Sequence, residues 1–234
     1  MSQTTATSTA TSAHAAYSTP LPELEPGKVY HHFKLERTEE IPEISGCAYI
    51  FSHTPSNARA LWLSCADNNK SFSIAFKTPP VDSTGVFHIL EHSVLCGSKL
   101  YPVKEPFVHL LKTSMQTFLN AMTFPDKTVY PVSSTNEQDL INLSDIYLDA
   151  VLHPNIYTNP LIFEQEGWHY ELASANDPLS YNGVVLNEMR GALSNPDTVM
   201  YNALNEALFP DSCYKYVSGG TITDIPTLLS LIHI

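Results

Sequence analysis

Short apolar runs separated by turn formers occupy the first third of the chain, and helical periodicity takes over after them. Residues 30–36, 46–53, 59–66 and 72–77 are rich in β-branched or aromatic side chains, which predicts four strands. The run Pro79-Pro80-Val81-Asp82-Ser83-Thr84 breaks this pattern, and Asp82, Ser83 or Thr84 is placed to cap the helix that follows. That helix, over 85–96, draws its apolar surface from Val86, Phe87, Ile89, Leu90, Val94 and Leu95. Helices are also predicted over 106–115, 137–152 and 160–171, around residue 188, and over 198–208 after an interruption at Pro196. Residues 127–133 read as a strand returning to the sheet. In the helix over 137–152, Asp139, Asp145 and Asp149 are expected on a solvated face. Strands followed by helices and one returning strand predict an α+β fold rather than a βαβ repeat.

The helix over 85–96 contains His88-Ile89-Leu90-Glu91-His92. Steps of three and four residues put His88, Glu91 and His92 on one helical face. Two neutral imidazoles there can grip one metal ion while the carboxylate leans toward a water. The order is the inverse of the commoner His-Glu-x-x-His zinc motif. The bland alternative is a core helix with two ordinary histidines, but a buried carboxylate beside two imidazoles is costly unless paired or metal-bound. A catalytic zinc site takes three protein ligands and leaves a position for water. Spacing alone leaves Glu164, Glu166, Glu171 and Glu188 open as the third ligand. Each metal-binding imidazole also needs an acceptor for its other N–H, for which Glu164 and Glu166 are candidates.

The net charge of −12 argues against nucleic-acid binding, which calls for basic stripes. No apolar run reaches bilayer-spanning length. Residues 1–20 are rich in Ser, Thr and Ala and lack both an apolar core and arginine. They read as a disordered tail rather than a targeting segment, so a cytoplasmic location without membrane attachment is expected. Cys47, Cys65, Cys96 and Cys213 are scattered and fit neither a metal pattern nor a disulfide scaffold, so reduced thiols are expected. His31, His32, His109, His153 and His169 are expected to be ordinary histidines.

Five segments together are more specific than the five-residue motif. They are residues 84–98 around the two histidines, 102–107, 117–131 with Asn120-Ala121-Met122-Thr123, 163–172, and Gly183-Val184-Val185-Leu186-Asn187-Glu188-Met189-Arg190-Gly191. In this order and spacing they resemble the amino-terminal catalytic domain of the pitrilysin/insulinase class of inverzincin metallopeptidases, most closely its presequence-protease branch. The resemblance implies an antiparallel-rich sheet backed by helices and one zinc ion. It implies that His88, His92 and Glu188 are the zinc ligands and Glu91 the general base. It further implies that Asn120 and Ala121 lie on a strand with which an extended peptide substrate pairs. Without it, Asn120 reads as a turn residue.

The resemblance divides the chain into a tail over 1–24, a metallopeptidase catalytic domain over 25–228, and an atypical end over 229–234 that reads as a truncation. It implies that the carboxy-terminal domains of a longer protease are the missing partners and that the chain alone cleaves peptides feebly. The expected function is a zinc metalloendopeptidase acting on extended oligopeptides. A second reading is a non-catalytic, partner-dependent peptide-binding half of a two-part protease. A third, a small-molecule lyase of the S-ribosylhomocysteine type, shares His-x-x-Glu-His but lacks the segments around Asn120 and Glu188. Zinc suits two imidazoles and a carboxylate, although cobalt or manganese can substitute.

Overall fold

The computed structural model describes residues 24–104 and 106–230. Most of the 1–24 tail and the last four residues of the atypical end lie outside this range. The chain divides into two compact units, one up to Asn68 and one from Asn69 onward.

The first unit is an antiparallel sheet of β1 (Val29–Tyr30), β2 (Phe33–Ile41), β3 (Gly46–His53) and β4 (Arg59–Ser64), paired in sequence order. Its first hairpin corrects the strand expected over 30–36. His31 and His32 both have positive φ, at 47° and 72°. They form a two-residue turn of the kind whose twist matches the flanking strands.

The second unit holds the predicted helices. In order they are β5 (Lys70–Lys77), α1 (Val86–Val94), α2 (Pro106–Thr113), β6 (Gln116–Leu119), β7 (Met122–Thr123), β8 (Lys127–Ser134) and α3 (Glu137–Leu152). Then come α4 (Leu161–Glu166), β9 (His169–Glu171), β10 (Ser180–Asn182), α5 (Val184–Ala192) and α6 (Pro196–Leu208). β8 is central, with β5 on one side and β6 followed by β7 on the other, all antiparallel. β9 and β10 make a separate hairpin. The α+β class and, in the second unit, an antiparallel sheet backed by helices are therefore as expected.

α1 lies between two apolar clusters. Val94 joins Leu119, Tyr130, Val132, Leu143 and Tyr147, so one side of α1 packs with α3 on the sheet. Ile89 joins Phe163, Val185, Leu186 and Met189, so the other side packs on α4 and α5. Leu90 is half-buried against both clusters.

Four local expectations are corrected. α1 has no side-chain cap; Gly85, with φ of 68°, occupies the cap position. Asp82 instead accepts from the Thr84 N–H and hydroxyl. A Cβ on Gly85 would lie 2.6 Å from the Gly219 carbonyl oxygen, so the left-handed turn and the close approach both call for glycine. The helix expected over 160–171 ends at Glu166, and residues 169–171 form β9, with Tyr170 opposite Tyr181. Pro196 opens α6 rather than interrupting before it, because the first helical turn does not need its N–H. Asp149 is buried rather than solvated, accepting from the Leu100 N–H at 2.7 Å.

Candidate metal centre

α1 places His88, Glu91 and His92 on the wall of a cavity of about 740 Å³, with Glu188 of α5 and Asn120, Ala121 and Thr123 of the sheet side. The packing of Ile89 against Val185 and Leu186 brings α5 beside α1. Glu188 is a half-exposed carboxylate on α5, whose Val185, Leu186 and Met189 are buried. Its Oε2 lies 3.6 Å from His88 Nε2 and 3.5 Å from His92 Nε2. A tetrahedral zinc ion with ligands at 2.0–2.2 Å has ligand–ligand edges of about 3.3–3.6 Å. Among the described residues, His88, His92 and Glu188 form the one group of three or more metal-ligating side chains that converges in this way.

The tautomers support the same fit. His88 Nδ1 lies 3.1 Å from the Gly219 carbonyl oxygen, and His92 Nδ1 lies 3.3 Å from Glu166 Oε2. Both partners are acceptors, so each Nδ1 carries the proton and each neutral ring turns a lone pair outward at Nε2. Two lone pairs and a carboxylate oxygen then converge with no donor among them. Only a cation, or a proton on one ring, relieves that arrangement. In the metal-free chain burial opposes charge on His92. The Glu166 hydrogen bond and the charges of Glu91, Glu166 and Glu188 outweigh burial and raise its pKa. Glu166 behaves oppositely. Burial raises its pKa, but hydrogen bonds from His92, Gln165 and Cys96 bring it below the usual carboxylate value.

Glu91 is buried and is not one of the converging ligands. Its Oε2 accepts from Thr123 Oγ1 at 2.5 Å. Glu166, one of the two acidic candidates for orienting an imidazole, is buried on α4, whereas Glu164 is exposed. Gly219, the orienter of His88, and Thr123 were not anticipated. A backbone carbonyl has no sequence signature, and the only hint of Gly219 is its place in the glycine pair Gly219-Gly220. The segment carrying it is tied to the entry of α1, since Ser83 O accepts from Thr221 N and Ser83 Oγ accepts from Val217 N.

Asn120 and Ala121 line the cavity but form the break between β6 and β7, not a strand as expected. The β6–β8 register ends at Leu119 opposite Val132, and one residue on Asn120 N donates to Pro131 O at 3.2 Å. The reciprocal bond is impossible because proline has no N–H. The Asn120 carbonyl accepts from the Tyr147 hydroxyl at 3.3 Å instead. The Ala121 N–H is taken by Asn120 Oδ1 at 2.9 Å.

No family model matches the chain. The chain is 54% identical over 200 residues to Protein HypA of Clostridium perfringens, covering 86% of this chain and 21% of that protein. It is 51% identical over 196 residues to presequence protease 1, chloroplastic/mitochondrial, of Arabidopsis thaliana, covering 84% of this chain and 18% of that protein. The crystal structure of pitrilysin matches 89% of this chain and 21% of its own, with a TM-score of 0.59 and 20% identity, a likeness of fold. The resemblance to presequence proteases is borne out over the matched residues, and the fold is like that of pitrilysin. The chain spans about a fifth of the length of the curated relatives it matches. Cys47, Cys65, Cys96 and Cys213 form no disulfide. Among the described residues, no helix is long and apolar enough to cross a membrane.

Proposed function

We propose that this chain is a zinc-binding endopeptidase domain acting on extended peptides. The observation that carries the reading is the convergence of His88 Nε2, His92 Nε2 and Glu188 Oε2 beside a buried carboxylate that is not a ligand. His88, His92 and Glu188 would hold one zinc ion. Bound there, zinc would supply a Lewis acid and lower the pKa of its water toward neutrality. Glu91 is the general base. Thr123 anchors Oε2, which leaves Oε1 to take the proton of the attacking water. Glu91 then returns that proton to the departing amine nitrogen. Asn120 and Ala121 would meet the peptide through the groups left over by the break. These are the Ala121 carbonyl and the Asn120 side-chain amide, since the Ala121 N–H is already paired.

The name of the Arabidopsis relative refers to presequences, which supports a peptide substrate for the whole protease. The remaining domains of such a longer protease are the proposed partners, and turnover by this chain alone is expected to be feeble. The cytoplasmic assignment rests on sequence alone.

Metal analysis after dialysis, together with a quenched-fluorescence peptide assay, tests the proposal. The chain should bind one zinc ion. Glu91→Gln should keep the metal and abolish hydrolysis, and His92→Ala should lose the metal. Metal loss in Glu91→Gln would make Glu91 a ligand, and unchanged metal in His92→Ala would refute the site.

A further inference from the structure

The two imidazoles of the centre are held by unlike partners. His88 Nδ1 faces a neutral backbone carbonyl, that of Gly219. His92 Nδ1 faces a carboxylate, Glu166 Oε2, whose side chain is 8% exposed. The second oxygen of Glu166 is also occupied: Gln165 Nε2 donates to Oε1 at 2.7 Å, and Cys96 Sγ lies 3.3 Å from the same atom. Cys96 is itself tied to the metal helix, since its thiol reaches the His92 carbonyl at 3.5 Å. A buried carboxylate with donors on both oxygens has little rotational freedom. Truncating any one donor leaves the charge partly unsatisfied in a dry setting.

We infer that Glu166 is the positioning residue of the centre. Held by Gln165 and Cys96, it fixes the ring plane and tautomer of His92 and sets a negative charge behind that ligand, where His88 has only a neutral carbonyl. This rests on the proposed zinc site and adds the residue that sets its affinity. The charge does the work. A carboxylate on the far nitrogen strengthens an imidazole as a donor to a cation, while a carbonyl fixes the tautomer with less electronic effect. Glu166 lies on α4, whose Ile162 and Phe163 are core residues, so the carboxylate is as fixed as the core itself.

The test is zinc affinity, measured on the whole chain by competition with a chromogenic chelator, beside the melting temperature of the metal-free chain. Glu166→Gln keeps the shape and an acceptor oxygen but removes the charge. It should weaken zinc binding by about 10- to 100-fold, the usual effect of losing such a partner. The metal-free melting temperature should stay close to wild type. Cys96→Ala should weaken binding several-fold, and Cys96→Ser, which restores a donor, should recover wild-type affinity.

If wild type itself binds no zinc, the site reading fails and this inference with it. If wild type binds and Glu166→Gln binds within about threefold of it, the site stands and the positioning role is overturned. Should that variant not fold, the cysteine pair decides: equal affinities for Cys96→Ala and Cys96→Ser refute the clamp, and rescue by serine supports it.

Discussion

Thr123 Oγ1 donates to Glu91 Oε2 at 2.5 Å, joining β7 of the sheet to the carboxylate on α1. The bond crosses from one layer of the fold to the other at the proposed reacting centre. The carboxylate is thereby fixed by one oxygen, as a general base must be if its other oxygen is to meet a water reproducibly.

Thr123→Val removes the hydroxyl at nearly constant volume. It should leave zinc affinity unchanged, since Thr123 touches no ligand, and lower kcat by about 10- to 100-fold, the scale of a misplaced catalytic group. Thr123→Ser should retain most of the rate. Peptide turnover beside metal content checks both. A valine variant with wild-type kcat would show that Glu91 needs no anchor.

Gly219→Ala probes the other imidazole. A Cβ there would sit 2.8 Å from Met189 Sδ, with His88 Nδ1 at 3.6 Å. Either Met189 or the segment carrying the Gly219 carbonyl must move. The variant should lose about 1–3 kcal/mol of stability through overpacking. It should also bind zinc at least several-fold more weakly. Denaturant unfolding and chelator competition read the two effects separately. Unchanged zinc affinity would mean that His88 needs no carbonyl partner.

What the sequence reveals here is what local periodicity encodes. Helix α1 was legible because Ile89 and Leu90 recur with Val86 and Val94 around the polar stripe of His88, Glu91 and His92. Glu188 was not legible from spacing; the resemblance pointed to it, and the packing of Ile89 on Val185 and Leu186 brings it close. The choice between Glu164 and Glu166 is a matter of helix phase. Ile162, Phe163 and Glu166 face inward on α4, a phase blurred in a reading that ran the helix on to residue 171. The break at Asn120 depends on Pro131 facing it across the sheet, a pairing of residues that composition cannot supply. The turn at His31 and His32 has no glycine to mark it, and two consecutive left-handed residues other than glycine are uncommon.

Asp149 offers a pH test away from the candidate metal centre. It is buried on α3, and burial alone would raise its pKa. Hydrogen bonds from Ser98, the Leu100 N–H and His153 outweigh burial and hold the pKa below the usual value. A carboxylate with a depressed folded-state pKa stabilises the fold above its unfolded pKa. That contribution disappears as pH falls through the folded pKa. The wild-type chain should therefore lose stability on acidification below about pH 4 more steeply than Asp149→Asn. At neutral pH the asparagine variant should be less stable by about 1–3 kcal/mol, from the loss of a charged acceptor. Urea midpoints across pH decide it, and parallel curves for the two proteins would remove Asp149 from the acid response.

Two glycines of one structural region should respond to alanine with opposite signs. Gly183 precedes α5, and a Cβ there would lie 2.2 Å from the Gly167 carbonyl oxygen and 2.8 Å from Trp168 Cα. Backbone cannot yield as a flexible side chain can, so the start of α5 must shift away from the end of α4. That shift moves Glu188, whose Oε2 lies 3.6 Å and 3.5 Å from the two Nε2 atoms. Gly191, near the other end of α5, has nothing within 4 Å of its would-be Cβ and no left-handed backbone. Alanine there only removes unfolded-state freedom and should stabilise the chain by about 0.5–1 kcal/mol. Gly183→Ala should instead destabilise the chain and weaken zinc binding, while Gly191→Ala leaves zinc affinity unchanged. Measuring both variants separates the position of α5 from its helical propensity. If Gly183→Ala binds zinc as wild type does, the close approach of Gly183 to Gly167 does not set the reach of Glu188.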